Sequence, residues 1–105
     1  MKINSCRPSL RFLRVAASSN TQIGSIQVSI AKARSSALFK RATKVFEDGL
    51  AAGGIGLRAL GLEGAVPVEG GLPILANDMI IGAIGVSGGT SQEDGVAANA
   101  GVAAL

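Results

Sequence analysis

The chain has 105 residues, 48% of them apolar, and a formal net charge of +3 at neutral pH, values typical of one small globular domain. It contains no histidine and a single cysteine, Cys6. This composition excludes an internal disulfide framework, a Cys/His zinc site and a catalytic triad with a histidine base. Because the apolar residues are mostly small and a short chain has a thin core, we expect a homo-oligomer.

The charges are unevenly distributed along the chain. Residues 1–46 hold nine of the ten basic residues and no acid, whereas residues 47–105 hold all seven acids. Lys32, Lys40 and Lys44 fall on the polar stripe of a predicted helix and no aromatic platform accompanies them, so we do not expect nucleic-acid binding. No apolar run approaches the ~18 residues needed to cross a bilayer, so we expect no transmembrane segment.

Residues 1–20, "MKINSCRPSLRFLRVAASSN", contain four basic residues and no acid. This composition is typical of a basic leader that is poorly ordered or unrelated to the rest, such as a displaced gene start would leave. It also fits an organellar transit peptide loosely, whereas a secretory signal fits worse because Arg11 and Arg14 interrupt its apolar stretch. We therefore place the domain at residues 21–105 and favour a cytoplasmic location.

Residues 24–50, "GSIQVSIAKARSSALFKRATKVFEDGL", have helical periodicity. Ile26 and Ile30 begin an apolar face with i, i+3/i+4 spacing. Ser25 is the predicted N-cap and Gly49 the predicted end of one long helix.

After a glycine-rich connector, expected to hold at most one helical turn, three short apolar segments predict strands. They read "AVPVEGG", "LPILAND" and "MIIGAIGV". The last is continuously apolar, so we expect cover on both of its faces. Asn77 and Asp78 predict a two-residue hairpin loop. The elements predicted from these residues are therefore one long helix, then three strands, before the C-terminal segment.

The C-terminal segment "TSQEDGVAANAGVAAL" predicts a second helix. Thr90 and Glu93 have the spacing of a capping box, worth on the order of 1 kcal/mol. The preceding "GVSGGT" loop has the backbone amides and helix dipole of an anion site. It matches neither a P-loop nor a dinucleotide-binding fingerprint, and its other interpretation is a structural turn. An apolar stripe runs along the helix at Val96, Ala100 and Val102/Ala103.

One acidic residue stands beside a flexible corner. Glu69, followed by Gly70 and Gly71, is a candidate for a pocket-rim group or a catalytic acid, although a lone carboxylate at a turn is equally explained by solvation. Glu93 and Asp94 are first-turn acids that complement the helix dipole.

Three stretches, "AKARSSALFKRAT", "PVEGGLPI" and "IGAIGVSGGTSQEDGVAANAGVAAL", resemble the GlcG/HbpS family of haem-binding and so-called haem-degrading proteins, related to the PduO C-terminal domain. The resemblance runs from about Gly24 to Leu105. It implies the fold class α/β (α+β): a compact domain with an antiparallel sheet flanked by helices, a long helix before the sheet and a C-terminal helix after it. It also implies homo-oligomers that are often octamers and, in some members, a bound haem or related tetrapyrrole. The matching residues are Lys32, Ala33, Glu69, Gly70, Gly71, Pro73, Gly82, Gly85, Ser87, Gly88, Gly89 and Asp94. The ligand-binding residues it implies are Glu69, Gly70, Gly71, Ser87, Gly88 and Gly89.

The sequence departs from the family pattern in three places. Residues 1–20 show neither the N-terminal helix nor the β-hairpin of the family, which indicates a truncated start or an unrelated leader. Asn77-Asp78-Met79 replaces a usual Asp-Gly turn, so we expect a less regular turn. Ala42 replaces a common proline, so we expect the long helix to run unbroken.

Haem ligation is constrained by the missing histidine. An axial ligand to the iron would fall to Cys6, Met1 or Met79, and weak ligation through an oxygen or retention by contacts alone are the other routes. Met79 lies on an apolar strand, where core packing is the simpler role.

The leading interpretation is a non-catalytic, oligomeric small-ligand-binding protein whose ligand is haem or a related tetrapyrrole, with no bound metal of its own. The alternative is an enzyme of undefined class that uses a pocket at Glu69 and Ser87.

Overall fold

The computed structural model describes residues 2–6 and 12–16 as backbone and residues 22–105 with their side chains. None of the helices in this described part is long and apolar enough to span a bilayer. In chain order the elements are β1 (Lys2–Cys6), β2 (Phe12–Ala16), α1 (Gly24–Phe39), α2 (Thr43–Ala52), a 3₁₀ helix (Gly54–Gly61), β3 (Gly71–Ala76), β4 (Met79–Ser87) and α3 (Ser91–Ala103).

The four strands of the described part form one antiparallel sheet in the order β2-β1-β4-β3. β4 pairs on both sides, with Lys2 opposite Ser87 in β1 and Gly71 opposite Gly85 in β3. The predicted fold class, an antiparallel sheet flanked by helices with α3 as the C-terminal helix, is confirmed.

Two strands lie where none was predicted. β1 and β2 pair as a hairpin within residues 1–20, so the expectation that this stretch lacks a β-hairpin is wrong. The strand predicted at residues 65–71 is a loop as far as Gly70. Five-residue strands have a weak local signal. Pairing of β1 with β4, which is distant along the chain, and of β2 with β1 decides where they form. The expectation of a poorly ordered leader covers residues 1–20, of which residues 1, 7–11 and 17–20 lie outside the described residues.

Helices cover both faces of β4. Side chains alternate along a strand, so the side chains of neighbouring residues point to opposite faces of the sheet. A Cβ at Gly85 would contact the carbonyl oxygen of Ser29 in α1 and lie 2.6 Å from the Ala33 nitrogen. Ile84 faces the other way, because its Cδ1 would lie 2.7 Å from a Cβ at Gly101 in α3. The hydrophobic core lies on the α3 face and comprises Ile84, Val86 and Ala98, with Leu72, Ile74, Ala97 and Val102 packed against them.

The buried face of α1 is made of small residues and one lysine. Gly85 brings β4 so close to α1 that larger side chains do not fit between their backbones. Ile26 and Ile30, predicted to lead the apolar face, are only half-buried. The residues that α1 buries are Ser25, Ser29, Lys32, Ala33, Ser35 and Ser36.

The predicted unbroken helix is wrong. Lys40 ends α1 in the left-handed region with φ 54°, and Ala42 is extended, with φ −64° and ψ 142°, before α2 begins. The break is explained by a tertiary contact, since the Oγ1 atom of fully buried Thr43 accepts a 2.9 Å hydrogen bond from the Gly71 amide at the start of β3. An uninterrupted helix would carry Thr43 away from that amide.

The hairpin between β3 and β4 is regular. Asn77 and Asp78 have φ values of 51° and 64°, which is the pair of positive angles that a type I′ loop requires. The two-residue loop is confirmed, and the expected irregular turn is wrong. The irregularity is instead a register shift between Ile74 and Leu75 within the strands.

Three helix boundaries also differ from prediction. The 3₁₀ helix has eight residues, which is more than two turns and longer than the single turn expected. α1 begins at Gly24 with Ile23 as its N-cap, two residues before the N-cap predicted at Ser25. α2 continues through Gly49 to Ala52.

Replacing Gly85 with alanine is expected to lower the free energy of unfolding by about 1–3 kcal/mol, the usual cost of overpacking. The added Cβ would meet the α1 backbone, which cannot rotate aside as a side chain can. Gly61→Ala is the matched control, because nothing lies within 4 Å of its Cβ, and its stability should change by no more than about 0.5 kcal/mol. Urea denaturation measures both, and equal stabilities would contradict the close approach of β4 and α1.

Ala42→Pro is expected to raise the free energy of unfolding by about 0.4–1 kcal/mol, since the φ of −64° at Ala42 is the one that proline imposes and the unfolded chain loses freedom. Ala42→Gly should lower it by a similar amount, because glycine gives the unfolded chain more freedom. Thermal denaturation ranks the two. A proline variant less stable than the glycine variant would show that the segment between α1 and α2 has another conformation.

Candidate functional site

The predicted ligand-binding residues come together at one end of the sheet. Residues 69–71 lead into β3, and residues 87–89 leave β4 towards α3. The Val86 amide donates a 2.9 Å hydrogen bond to the Gly70 carbonyl oxygen and joins the two stretches. The fold therefore places side by side two segments that are separate in the sequence.

A buried ion pair crosses this end of the sheet. Lys32 Nζ, from α1, lies 3.0 Å from Asp94 Oδ2, in the first turn of α3. The same ammonium donates a 2.8 Å hydrogen bond to the carbonyl oxygen of Val86. The two side chains are 1% and 3% exposed. Because α1 and α3 cover opposite faces of β4, this pair ties the two helix layers together.

Gly70 leaves the space through which the lysine passes. Its φ is 130°, a conformation that side-chain-bearing residues rarely adopt. An added Cβ would lie 2.5 Å from the Val86 carbonyl oxygen and 2.9 Å from Lys32 Nζ. At Gly71 a Cβ would lie 2.5 Å from the Lys32 carbonyl oxygen and 2.7 Å from Thr43 Cγ2. Both glycines are thus required by close packing at the end of the sheet.

The ion pair corrects two predictions. Lys32 is predicted on a solvated helix stripe and Asp94 only as a first-turn acid, but both side chains are buried and paired with each other. One signal in the sequence could have indicated this. Lys32 lies among Ser29, Ala33 and Ser36, all small enough to sit against a strand, and a lysine on such a face must be buried with a partner.

Asp94 also fixes the glycine loop before α3. Its second carboxylate oxygen, Oδ1, accepts a 2.9 Å hydrogen bond from the Gly89 amide. The predicted capping box is confirmed, with the Thr90 amide donating to Glu93 Oε1 at 3.0 Å and the Glu93 amide donating to Thr90 Oγ1 at 3.2 Å.

The capping box also shifts a titration. The hydrogen bond from the Thr90 amide, followed by the one that involves its side chain, lowers the pKa of Glu93. The charged Glu93 carboxylate therefore contributes its full stabilisation at pH values above the ordinary glutamate pKa. This contribution is lost as the pH falls through the lowered pKa of Glu93.

Glu69 lies over α3. Its carboxylate occupies the space that a Cβ at Gly95 would need, and such a Cβ would lie 2.7 Å from Glu69 Cγ. The Glu69 amide donates a 3.4 Å hydrogen bond to Glu47 Oε1 of α2. The pKa of Lys44 is raised first by the hydrogen bond to Asp48 and, among lesser causes, by the charge of Glu69. Glu69 therefore contacts α2 through its backbone and α3 through its side chain.

Glu69 and Ser87 share an end of the sheet but not a face. Alternation along β4 directs Ser87 to the same side as Gly85, which is the α1 side, whereas the Glu69 carboxylate contacts Gly95 of α3. Only part of the predicted set has surface available to a ligand. Gly70, Gly71 and Ser87 are buried, Glu69 is half-buried, and Gly88 and Gly89 are exposed.

The outer side of α3 forms a shallow, open apolar cleft of about 390 Å³. Val96, at its centre, is 72% exposed, so the predicted stripe at Val96 and Ala100 faces outward. The side of α3 that meets the sheet carries small residues, with Gly95 and Ala98 buried. A surface helix that is apolar on both sides favours a covered outer face. The cleft is lined by Gln92, Glu93, Val96, Ala97 and Ala100.

The side chains around this surface do not fit axial ligation of haem iron. Among residues 22–105, no group of three or more His, Cys, Asp and Glu side chains could hold a metal ion. Met79 was predicted to pack in the core, but its side chain is 69% exposed. It lies at the hairpin end of β4, about 25 Å from Ser87 at the other end at the usual strand rise. Met1 and the side chain of Cys6 lie outside the described residues.

The sequence matches the model of the family described as haem degrading protein HbpS-like over residues 1–103. The chain belongs to this family. The match includes residues 1–23, whereas the resemblance described in the sequence analysis begins at about Gly24.

Among curated proteins, the chain is similar to an uncharacterized 15.0 kDa protein in the dhaT-dhaS intergenic region of Citrobacter freundii, with 34% identity over 74 residues. The matched part is 69% of this chain and 52% of that protein. The chain therefore spans about half the length of this curated relative.

Three solved structures have a similar fold. The Klebsiella pneumoniae protein ORFY is 27% identical, with 99% of this chain and 75% of that chain covered and a TM-score of 0.77. A PduOC:haem complex is 21% identical, with 99% and 77% covered and a TM-score of 0.79. A double mutant of Streptomyces reticuli HbpS is 20% identical, with 99% and 70% covered and a TM-score of 0.83. The last two likenesses show the shared fold.

Breaking the buried ion pair from one side is expected to be strongly destabilising. Lys32→Met leaves the Asp94 carboxylate buried without a counter-charge, which should lower the free energy of unfolding by about 3–5 kcal/mol. The double variant Lys32→Met/Asp94→Leu removes both charges and should recover part of that loss. Urea denaturation followed by circular dichroism measures both variants.

Lys44→Met is the matched control for this experiment. Lys44 Nζ lies 3.0 Å from Asp48 Oδ1 on the exposed surface of α2, where ion pairs contribute little, so its denaturation midpoint should stay close to that of the unsubstituted protein. A double variant less stable than Lys32→Met alone would show that something other than the unpaired Asp94 charge causes the loss.

Proposed function

We propose that this protein is a non-catalytic, homo-oligomeric binding protein for haem or a related tetrapyrrole. The ligand surface comprises the exposed Gly88–Gly89 loop, Glu69 and the outer face of α3. The observation that carries the proposal is the apolar cleft centred on Val96, which is open to solvent and adjoins the glycine loop.

The shape of the cleft suits a flat apolar ligand. Its lining runs from Gln92 to Ala100, eight residue steps that span about 12 Å along a helix axis. Apart from Gln92 and Glu93 at one end, the lining is aliphatic. Small side chains such as Ala97 and Ala100 leave a smooth surface, on which a macrocycle can lie without displacing anything.

The comparisons with known proteins support this class of ligand. The family is described as haem-degrading, and one protein of similar fold has been solved as a complex with haem. Both descriptions concern proteins whose ligand is a tetrapyrrole, which is the ligand that we propose for this chain.

Oligomerisation is supported by the amount of large apolar surface that one copy leaves exposed. In the described part, exposed aliphatic side chains occur on every helix, including Leu38, Ile55, Leu60 and Val96. Exposed patches of this kind mark interaction surfaces in soluble proteins. The cleft on α3 covers only one side of a bound macrocycle, so we propose that a second copy covers the other side.

The alternative of an enzyme with a pocket at Glu69 and Ser87 gains no support from the geometry. The two side chains are directed to opposite faces of β4, and a carboxylate without a nearby nucleophile has no group to activate. Glu69→Gln tests this alternative. If the protein only binds its ligand, the substitution should abolish no catalytic activity.

Val96→Glu is expected to weaken haem binding at least about tenfold, since it places a charge in the apolar cleft and 1.4 kcal/mol already corresponds to that factor. The same variant should lower the average assembly size. Haem titration followed at the Soret band measures the affinity, and light scattering measures the assembly.

Val45→Glu is the matched control, because Val45 is also a valine on a helix, 52% exposed, but lies on α2. It should bind haem as the unsubstituted protein does. Absence of any saturable Soret change in the unsubstituted protein, or an equal loss in both variants, would refute the proposed site. A haem-dependent reaction that Glu69→Gln abolishes would favour the enzyme.

A further inference from the structure

We infer that this protein recognises the tetrapyrrole macrocycle and not its iron, so that an iron-free porphyrin binds as well as haem does. This inference rests on the proposed function and specifies its ligand class more closely. It follows from the residues that the chain can offer to a metal at the centre of the macrocycle.

The residue types that usually hold haem iron are nearly absent. Proteins bind this iron through His, Cys, Met or Tyr, and the whole chain contains no His, no Tyr, one Cys and two Met. The candidates are thus Cys6, Met1 and Met79.

The positions of two of these candidates do not suit the cleft. Met79 lies at the hairpin, about 25 Å along β4 from Ser87. Cys6 stands opposite Ala83 in the register of β1 and β4, which is four residues, or about 13 Å, from the end of β4 where the glycine loop begins. Neither position adjoins the outer face of α3.

Two of the charged side chains near the cleft, Lys32 and Glu93, are already engaged. The Lys32 ammonium is buried and bonded to Asp94 and to the carbonyl of Val86, so it cannot reach a ligand. The Glu93 carboxylate accepts a hydrogen bond from the Thr90 amide in the capping box. Apart from Gln92 and Glu93, the lining of the cleft itself is aliphatic, and aliphatic surface contacts the macrocycle equally whether or not it contains iron.

The test titrates the full-length protein in its native assembly with haemin, with protoporphyrin IX and with zinc protoporphyrin. The dissociation constants are expected to agree within about threefold, and Val96→Glu should weaken all three equally. Added imidazole should shift the spectrum of the bound haemin without releasing it, because the chain leaves the iron's axial positions to external ligands.

Haemin binding at least about tenfold tighter than protoporphyrin IX, with the difference lost in Cys6→Ser or in Met79→Leu, would overturn this inference and leave the proposed function intact. Binding of none of the three porphyrins would overturn the proposed function itself. The two failures are therefore distinguishable in one set of titrations.

Discussion

The ion pair between Lys32 and Asp94 is the contact on which the rest of this structure depends. Its lysine comes from the helix on one face of the sheet and its aspartate from the helix on the other, and both are almost fully buried. A buried charge is tolerated only with a partner in good geometry. The pair therefore fixes the relative position of α1, the end of β4 and α3, and through the Gly89 amide it also fixes the loop where a ligand has access.

The glycines at this end of the sheet follow from the same constraint. Gly70 and Gly71 leave room for the lysine and for the α1 backbone, and Gly85 lets β4 approach α1 at a distance that excludes a Cβ. Backbones held this close bury small residues on α1. As a result, much of the larger aliphatic surface of the described chain stays outside, on the outer face of α3 and on the 3₁₀ helix. That outward apolar surface is what a macrocycle and a second copy would cover.

The candidate site was only partly predictable. The glycine stretches at residues 69–71 and 87–89 and the capping box of Thr90 were found from local patterns, because turn and cap chemistry depends on adjacent residues. The roles of these glycines could not be predicted from the sequence. Gly70 and Gly71 are buried and serve packing, whereas Gly88 and Gly89 lie at the surface. The ion pair was missed because its partners are 62 residues apart.

By itself, the sequence determined the helical character of α1 and α3, the strands β3 and β4, the two-residue loop at Asn77 and Asp78, and the absence of a histidine ligand from this chain. Only the tertiary structure decided that residues 2–6 and 12–16 join the sheet, that the long helix breaks before Thr43, and that the buried side of α1 is its serine-rich side. The physical reason is the range of the interactions. Periodicity and caps act within a few residues, whereas strand pairing, the Thr43–Gly71 hydrogen bond and the buried charge pair join segments that are distant in the chain.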